Sequence, residues 1–394
     1  MSDTKRTYAD GRAVEPLYTS AEAQQPGFRA QPWWTMVQEH GVDKEFAANN
    51  WALDRLKHGA SGLIFYLTDE HYLPRILKDI ELPYINLGLV VEGSGSEVME
   101  ALLHHAHGEI VSAKDLRGFI NIDPVEIAAR TGRWHEEKMY DLGELSRLSP
   151  EGMKFMCVNA NFYGICGADA ITQLGLAAAH LDFYLEIFGT VGLKQYWLAL
   201  STGTHMFQEI AKHRAARLLW SKLLERHELP QVPLEIYSET TTVDQSGYDI
   251  HTNLLRATSA AFGAIVGGAD HVQIRPYDAL AGGSAEGERL ALNQHFILAY
   301  ESYLDRVEDP ASGSFFIESQ TAEMVEGAWA ILENITQKGG ILEALRNGII
   351  QNLLEEQVER TMPEKVLGVN LYPLQSQKLP DQMIVKALRT RQEH

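Results

Sequence analysis

A closed (β/α)8 barrel is the fold this sequence predicts, on three observations. Short apolar runs recur along the chain, and longer segments of helical periodicity separate them. The 394 residues exceed one ordinary domain, yet a barrel can use most of them, and a 45% apolar content supplies its core. Strict strand–helix alternation implies a parallel sheet covered by helices. An open doubly wound sheet satisfies the same pattern, because periodicity does not reveal closure.

Residues 1–40 read as an irregular N-terminal arm that wraps a neighbour or its own barrel, since Pro16, Pro26, Gly27 and Pro32 interrupt any period. The barrel is assigned to residues 41–373. Its first four strands are Leu63–Leu67, Ile85–Val91, Phe119–Ile122 and Phe155–Asn159. Tyr196–Leu200, Leu234–Tyr237, His271–Ile274 and Ser314–Ile317 supply the other four. Most are bounded by Gly, Pro, Asn, Asp or Ser, as buried parallel strands are. After the fourth run, Ile171, Leu174, Ala178, Leu181, Leu185 and Phe188 form one apolar helical stripe. After the fifth, Thr202-Gly203-Thr204 caps a helix through Arg214 to Leu224. After the eighth, a helix starts at Thr321 and stops at Lys338-Gly339-Gly340. Arg130–Ser149 reads as an inserted loop. Residues 374–394 read as a polar tail or severed linker.

The formal charge is −19, from 53 acids against 34 bases. Such a surface repels nucleic acid and anionic membranes, so neither is an expected partner. The two cysteines, Cys157 and Cys166, form no CxxC pair, which suits a reducing cytoplasm. The polar N-terminus lacks a signal-peptide core, and no run approaches the roughly 18 apolar residues of a membrane span.

In a barrel, function belongs at the C-terminal ends of the strands. That rule nominates Glu92, Asn121, Asn159, Asn161, Ser201, His205, Glu239, Gln273 and Arg275. No nucleophile–base–acid set stands among them; ligand hydrogen bonding or plain loop capping accounts for such residues. Backbone amides of Gly93–Glu97 (GSGSE) could cradle a phosphate, although Ser94 with Glu97 also makes a capping box. His104, His105 and His107 lack the spacing of a helical metal site and suit a solvated helix end. Asp69, Glu70 and His71 could do acid–base work or simply suit a helix N-terminus. Trp33 and Trp34 read as packing residues of the arm. No metal site is expected.

Several stretches together resemble the methylmalonyl-CoA mutases and related acyl-CoA mutases. They are GRAVEPLYT (Gly11–Thr19), FQEIAKHRAARLLWSKLL (Phe207–Leu224), GGADHVQIRPYDA (Gly267–Ala279) and LGVNLYP (Leu367–Pro373). The strongest is LDRVEDPASGSFFIESQTAEMVEGAW (Leu304–Trp329). The resemblance implies an acyl-CoA-binding (β/α)8 barrel, a separate cobalamin-binding domain, and a radical carbon-skeleton rearrangement with adenosylcobalamin. Substrate CoA would thread the barrel axis.

Against that family's pattern this chain departs at the reactive positions. The resemblance places a Tyr-His pair just after the fourth strand, where Asn161 and Phe162 stand here. Phenylalanine has no donor to polarise a thioester carbonyl, and losing such a donor costs about 3–4 kcal/mol. An HTN after the seventh strand becomes Gln273, Ile274 and Arg275, and an RNTQ becomes Leu292-Asn293-Gln294-His295. The DxHxxG that supplies cobalt's lower ligand is missing, and the tail is too short for a cobalamin domain of ~120 residues.

Gln31–Phe65 and Asn121–Gly132 resemble the small subunit of heterodimeric members. The resemblance therefore implies a cytoplasmic barrel of the isomerase family that lacks activity alone. Its expected partner is a catalytic large subunit, with a self-dimer as the alternative, and this chain alone binds no cofactor. An active acyl-CoA isomerase with cobalamin on another chain, or an acyl-CoA-binding barrel, are the competing readings. Asn161, Gln273, Arg275, Asn293 and Glu239 would then bind the substrate.

Overall fold

The computed structural model describes residues 6–7, 13–14, 18–22, 33–42, 45–358, 365–369 and 371–372. The expected polar tail, and most of the expected arm, lie outside the described residues. Two short pieces of the arm, Arg6–Thr7 and Ala13–Val14, pair antiparallel.

Nine parallel strands form one sheet. They are β1 (Thr35–Gly41), β2 (Gly62–Leu67), β3 (Asn86–Val91), β4 (Gly118–Asn121), β5 (Met153–Lys154), β6 (Met156–Asn159), β7 (Tyr196–Thr202), β8 (Glu235–Thr240) and β9 (His271–Gln273). Their hydrogen-bonded order is β5-β4-β3-β2-β1-β9-β8-β7-β6. The two end members, β5 and β6, are one line of chain interrupted at Phe155. The sheet therefore curls round until its last strand continues its first, and the nine pieces make an eight-position barrel.

The helices are α1 (Glu45–Lys57), α2 (Leu73–Ile76), α3 (Gly95–Gly108), α4 (Pro124–Thr131), α5 (Glu136–Leu148), α6 (Asn161–Ile165) and α7 (Ala170–Phe188). They continue as α8 (Met206–Arg226), α9 (Thr252–Val266), α10 (Ala285–Phe296), α11 (Phe315–Gln337), α12 (Ile341–Arg346) and α13 (Ile349–Val358). Alternation along each strand divides the core in two. Outward residues such as Leu63, Phe65, Leu87, Leu89, Leu198 and Leu200 join the large cluster beneath the helices. Inward residues form a second cluster inside the barrel.

Three expectations are corrected. The eighth strand is not Ser314–Ile317, which enters α11; the barrel is completed instead by β1, inside the segment read as arm. Arg130–Ser149 is largely helical, because α4 runs to Thr131 and α5 occupies Glu136–Leu148. Thr202 belongs to β7, and α8 starts at Met206 without a side-chain cap. By contrast, Ser94 caps α3 by accepting from the Glu97 amide. The tryptophan pair divides: Trp34 is buried and donates to His295 Nδ1 at 3.0 Å, whereas Trp33 is exposed. Among the described residues no helix is long and apolar enough to cross a membrane.

Candidate functional site

The C-terminal mouth of the barrel gathers polar side chains from five places in the chain. Arg275, just past β9, donates through Nε to Glu239 Oε1 on β8 and through Nη1 to Glu39 Oε1 on β1. The remaining carboxylate oxygens are taken by neutral donors. Tyr66 OH on β2 donates to Glu39 Oε2 at 2.9 Å, and Asn161 Nδ2 donates to Glu239 Oε2 at 2.7 Å. Burial drives the Glu239 carboxyl above its ordinary range despite Arg275 beside it. Burial also works against the guanidinium charge, but Glu239 and Glu39 outweigh it and hold Arg275 firmly protonated.

Below the mouth the barrel is filled. Phe119 and Trp197 stack with ring centroids 3.9 Å apart, and Tyr237 meets the Trp197 ring edge-on at 5.6 Å. Val37, Ile64, Cys157 and Ala199 complete this layer, and all are buried. Gly88 on β3 makes room for it: a Cβ there would lie 2.4 Å from Phe119 Cζ. Tyr237 OH in turn donates to Gln273 Oε1. At the N-terminal floor, Glu235 meets Lys154 Nζ at 2.9 Å and His271 Nε2 at 3.2 Å. Burial would raise Glu235, but His271 and Lys154 hold it at about 2. A packed axis of this kind is a core rather than a passage.

The stretch holding Asn161 and Phe162 forms α6, which sits against the end of β7. Gly164 permits the approach, since a Cβ there would lie 1.8 Å from Ser201 Oγ. Gln173 Nε2 ties the two together, donating to Ala160 O at 3.0 Å and Ser201 Oγ at 2.7 Å. Phe162 is half-buried against the outer core, edge-on to Tyr163 at 5.9 Å. Behind α6 stands a buried hub. Asp123 caps α4, accepts from Tyr184 OH at 2.7 Å and the Asn159 amide at 2.8 Å, and pairs with His180 Nε2 at 2.9 Å. Burial opposes its charge, yet these partners hold Asp123 below the ordinary carboxylate range. Burial and the Asp123 charge push neighbouring Glu126 up to about 7.

Other nominated residues take structural places. The amides of the GSGSE loop already hold an anion of the protein's own: Asp141 from α5 accepts from Gly95 N at 2.6 Å and Ser96 N at 2.8 Å. Asn121 Oδ1 accepts from Asp123 N at 3.1 Å, a loop cap. Glu92 is exposed. His205 faces Gln208, ahead of α8. Asn293 is half-buried on α10, which packs on the outward side of β1 through Trp34–His295 and Gln38–Glu288 contacts rather than at the mouth. His104, His105 and His107 lie in the last turns of α3. Asp69, Glu70 and His71 approach one another, but His71 is largely exposed and Asp69 caps its own turn.

Sequence position alone missed Glu39, Tyr66 and the Phe119–Trp197–Tyr237 stack. A period-two reading of each strand could have found them, because each occupies an inward position of its strand.

Three curated relatives point to one family. At 29% identity over 94% of this chain and 66% of its own length, the methylmalonyl-CoA mutase small subunit of Streptomyces virginiae is similar. The small subunit of Porphyromonas gingivalis is 28% identical over 86% of this chain and 59% of its own length. A probable small subunit of Mycobacterium tuberculosis is 30% identical over 93% of this chain and 66% of its own length. The chain thus spans about three-fifths to two-thirds of these relatives. The family profile described as methylmalonyl-CoA mutase matches residues 69–394, and on that extent this chain belongs to the methylmalonyl-CoA mutase family.

Proposed function

We propose that this chain is the barrel of a small-subunit-type mutase component that performs no chemistry itself and supports a catalytic large subunit. One observation carries the reading. The axis along which an acyl-CoA would thread is filled by Phe119, Trp197 and Tyr237, under a mouth sealed by Arg275 between two carboxylates. An extended thioester would have to displace a buried aromatic layer, and deleting even one such ring costs about 3–5 kcal/mol. The residues offered from the sequence as substrate-binding support this reading, since Asn161, Glu239, Gln273 and Arg275 are bonded to one another or to Tyr237.

Adenosylcobalamin, the cofactor of the family, does not fit the residues at this mouth. The group there is carboxylate, guanidinium, phenol and amide, and each is already bonded within the group rather than turned outward to meet a corrin face. No step through the cofactor is therefore assigned to this barrel, and cobalamin chemistry belongs to the partner.

The test combines association with ligand binding. Mixed with a methylmalonyl-CoA mutase large subunit, the chain should elute as a heterodimer. Alone it should show neither turnover with adenosylcobalamin nor a thermal shift with acyl-CoA thioesters. Self-association only would refute this reading, and a saturable shift with an acyl-CoA would replace it with the ligand-binding one. Turnover with cobalamin carried on a separate chain would establish the isomerase reading.

A further inference from the structure

The mouth group has the architecture of a binding site whose ligand is part of the chain. Glu39 and Glu239 face the same guanidinium from β1 and β8. Their outer oxygens are turned and held by Tyr66 and Asn161, so each carboxylate presents its other oxygen inward. The three charged side chains are between 7% and 20% exposed, which sets them apart from a solvated ion pair. The main chain holds Arg275 in place as well, because its amide donates to Thr240 Oγ1 at 2.9 Å. A planar cation with N–H groups on two edges matches two such carboxylates; a compact ammonium or a sodium ion does not.

The position of this group matters for the barrel. Strand β9 has three residues and pairs with β1 through three positions and with β8 through three. The flanking β1–β2 and β7–β8 pairings run over five and six positions. Arg275 therefore bridges a strand whose ladders to both neighbours are shorter than the ladders beyond them.

We propose that the barrel mouth is a dicarboxylate site for a guanidinium group, filled by Arg275 as a tethered ligand that ties β9 to β1 and β8. The inference stands on the mouth geometry alone. It holds or fails whether or not the chain binds a large subunit, because its test involves neither partner nor acyl-CoA.

The experiment is chemical rescue of the full chain. Arg275→Ala leaves Glu39 and Glu239 facing each other without a cation, and should lower the melting temperature by on the order of 5 °C or more. Guanidinium chloride at low millimolar concentration should restore much of that loss, and methylguanidinium should do the same. Sodium or ammonium chloride at equal ionic strength should not, and the unsubstituted protein should show no rise. Adding Glu39→Gln to Arg275→Ala should abolish the rescue. A folded Arg275→Ala protein that responds equally to all the salts would overturn the proposal. Should Arg275→Ala fail to fold, Arg275→Gln, which keeps an amide for Glu239, is melted in the same series and read by the same outcomes.

Discussion

The filled axis is testable through the coupling between Gly88 and Phe119. Gly88 lies in β3 with a backbone that other residues adopt, so alanine there carries no torsional strain. Its added Cβ would stand 2.4 Å from Phe119 Cζ, 2.7 Å from Phe119 Cε1 and 2.8 Å from Ile64 Cγ1. Overpacking of this kind costs about 1–3 kcal/mol, partly offset by the roughly 0.5–1 kcal/mol that alanine gains over glycine within a strand. Gly88→Ala alone should therefore destabilise by about 1–2 kcal/mol. Phe119→Ala removes a buried ring that stacks on Trp197 and should cost about 3–5 kcal/mol. Once that ring is gone, the new methyl at position 88 enters vacated space and meets Ile64 alone. The double variant should then be no less stable than Phe119→Ala, giving a coupling energy of about 1–2 kcal/mol. Urea denaturation followed by circular dichroism measures all four corners. Additivity within about 0.5 kcal/mol would mean that the Phe119 ring does not cover Gly88, and the closed-axis reasoning would fall with it.

Two further outcomes are expected. His213 and His295 are held down to about 3, in each case by burial. Their folded values lie below the unfolded ~6.5, so the unfolded chain takes up these protons first and stability falls as pH drops from ~6.5 toward ~3. Each should remove about 1.4 kcal/mol per pH unit, or about 2 kcal/mol between pH 6.5 and 5. His295→Gln, which keeps a neutral acceptor for Trp34, should remove one of these two contributions from the acid limb; an unchanged slope would show that His295 titrates normally. Separately, Arg214 is buried against Glu318, with Nη2 at 2.9 and 3.0 Å from the two carboxylate oxygens, and Asp309 also accepts from it. Glu318→Gln leaves that cation undercompensated and should cost about 3 kcal/mol in thermal or urea unfolding, whereas a loss under 1 kcal/mol would show the pair to be solvated.

Seven of the eight barrel positions were legible because their outward residues are apolar and their ends carry turn residues. The eighth was hidden by its own role. In TMVQEHG of β1 only Met36 and Val37 are apolar, since Glu39 faces the mouth and Gln38 reaches Glu288 O at 2.9 Å. SFFI took its place because three or four apolar residues do not distinguish strand from helix. The spacing that follows does distinguish them. Buried Ile317, Thr321, Met324, Ala328, Leu332 and Ile335 keep one helical period back through the supposed strand, and buried Glu318 pairs with Arg214.

For the site, the rule that barrel chemistry sits at strand ends found Asn161, Glu239, Gln273 and Arg275, but not what they do. Their partners are set by closure, which brings Arg275 to Glu39 across 236 positions and to Glu239 across 36. A lone charge at a strand end is equally consistent with gripping a substrate and with gripping its neighbour; only the separation after folding decides. The same holds for Phe162, which the resemblance sets where a hydrogen-bond donor is expected: lacking a donor there, by itself, still leaves room for a ligand held by other groups. The stronger argument comes from Phe119, Trp197 and Tyr237, whose rings meet only when β4, β7 and β8 face one axis. A barrel that fills its interior with aromatic packing gains the stability of a core and forgoes a channel along its axis, which is what the proposed supporting role requires.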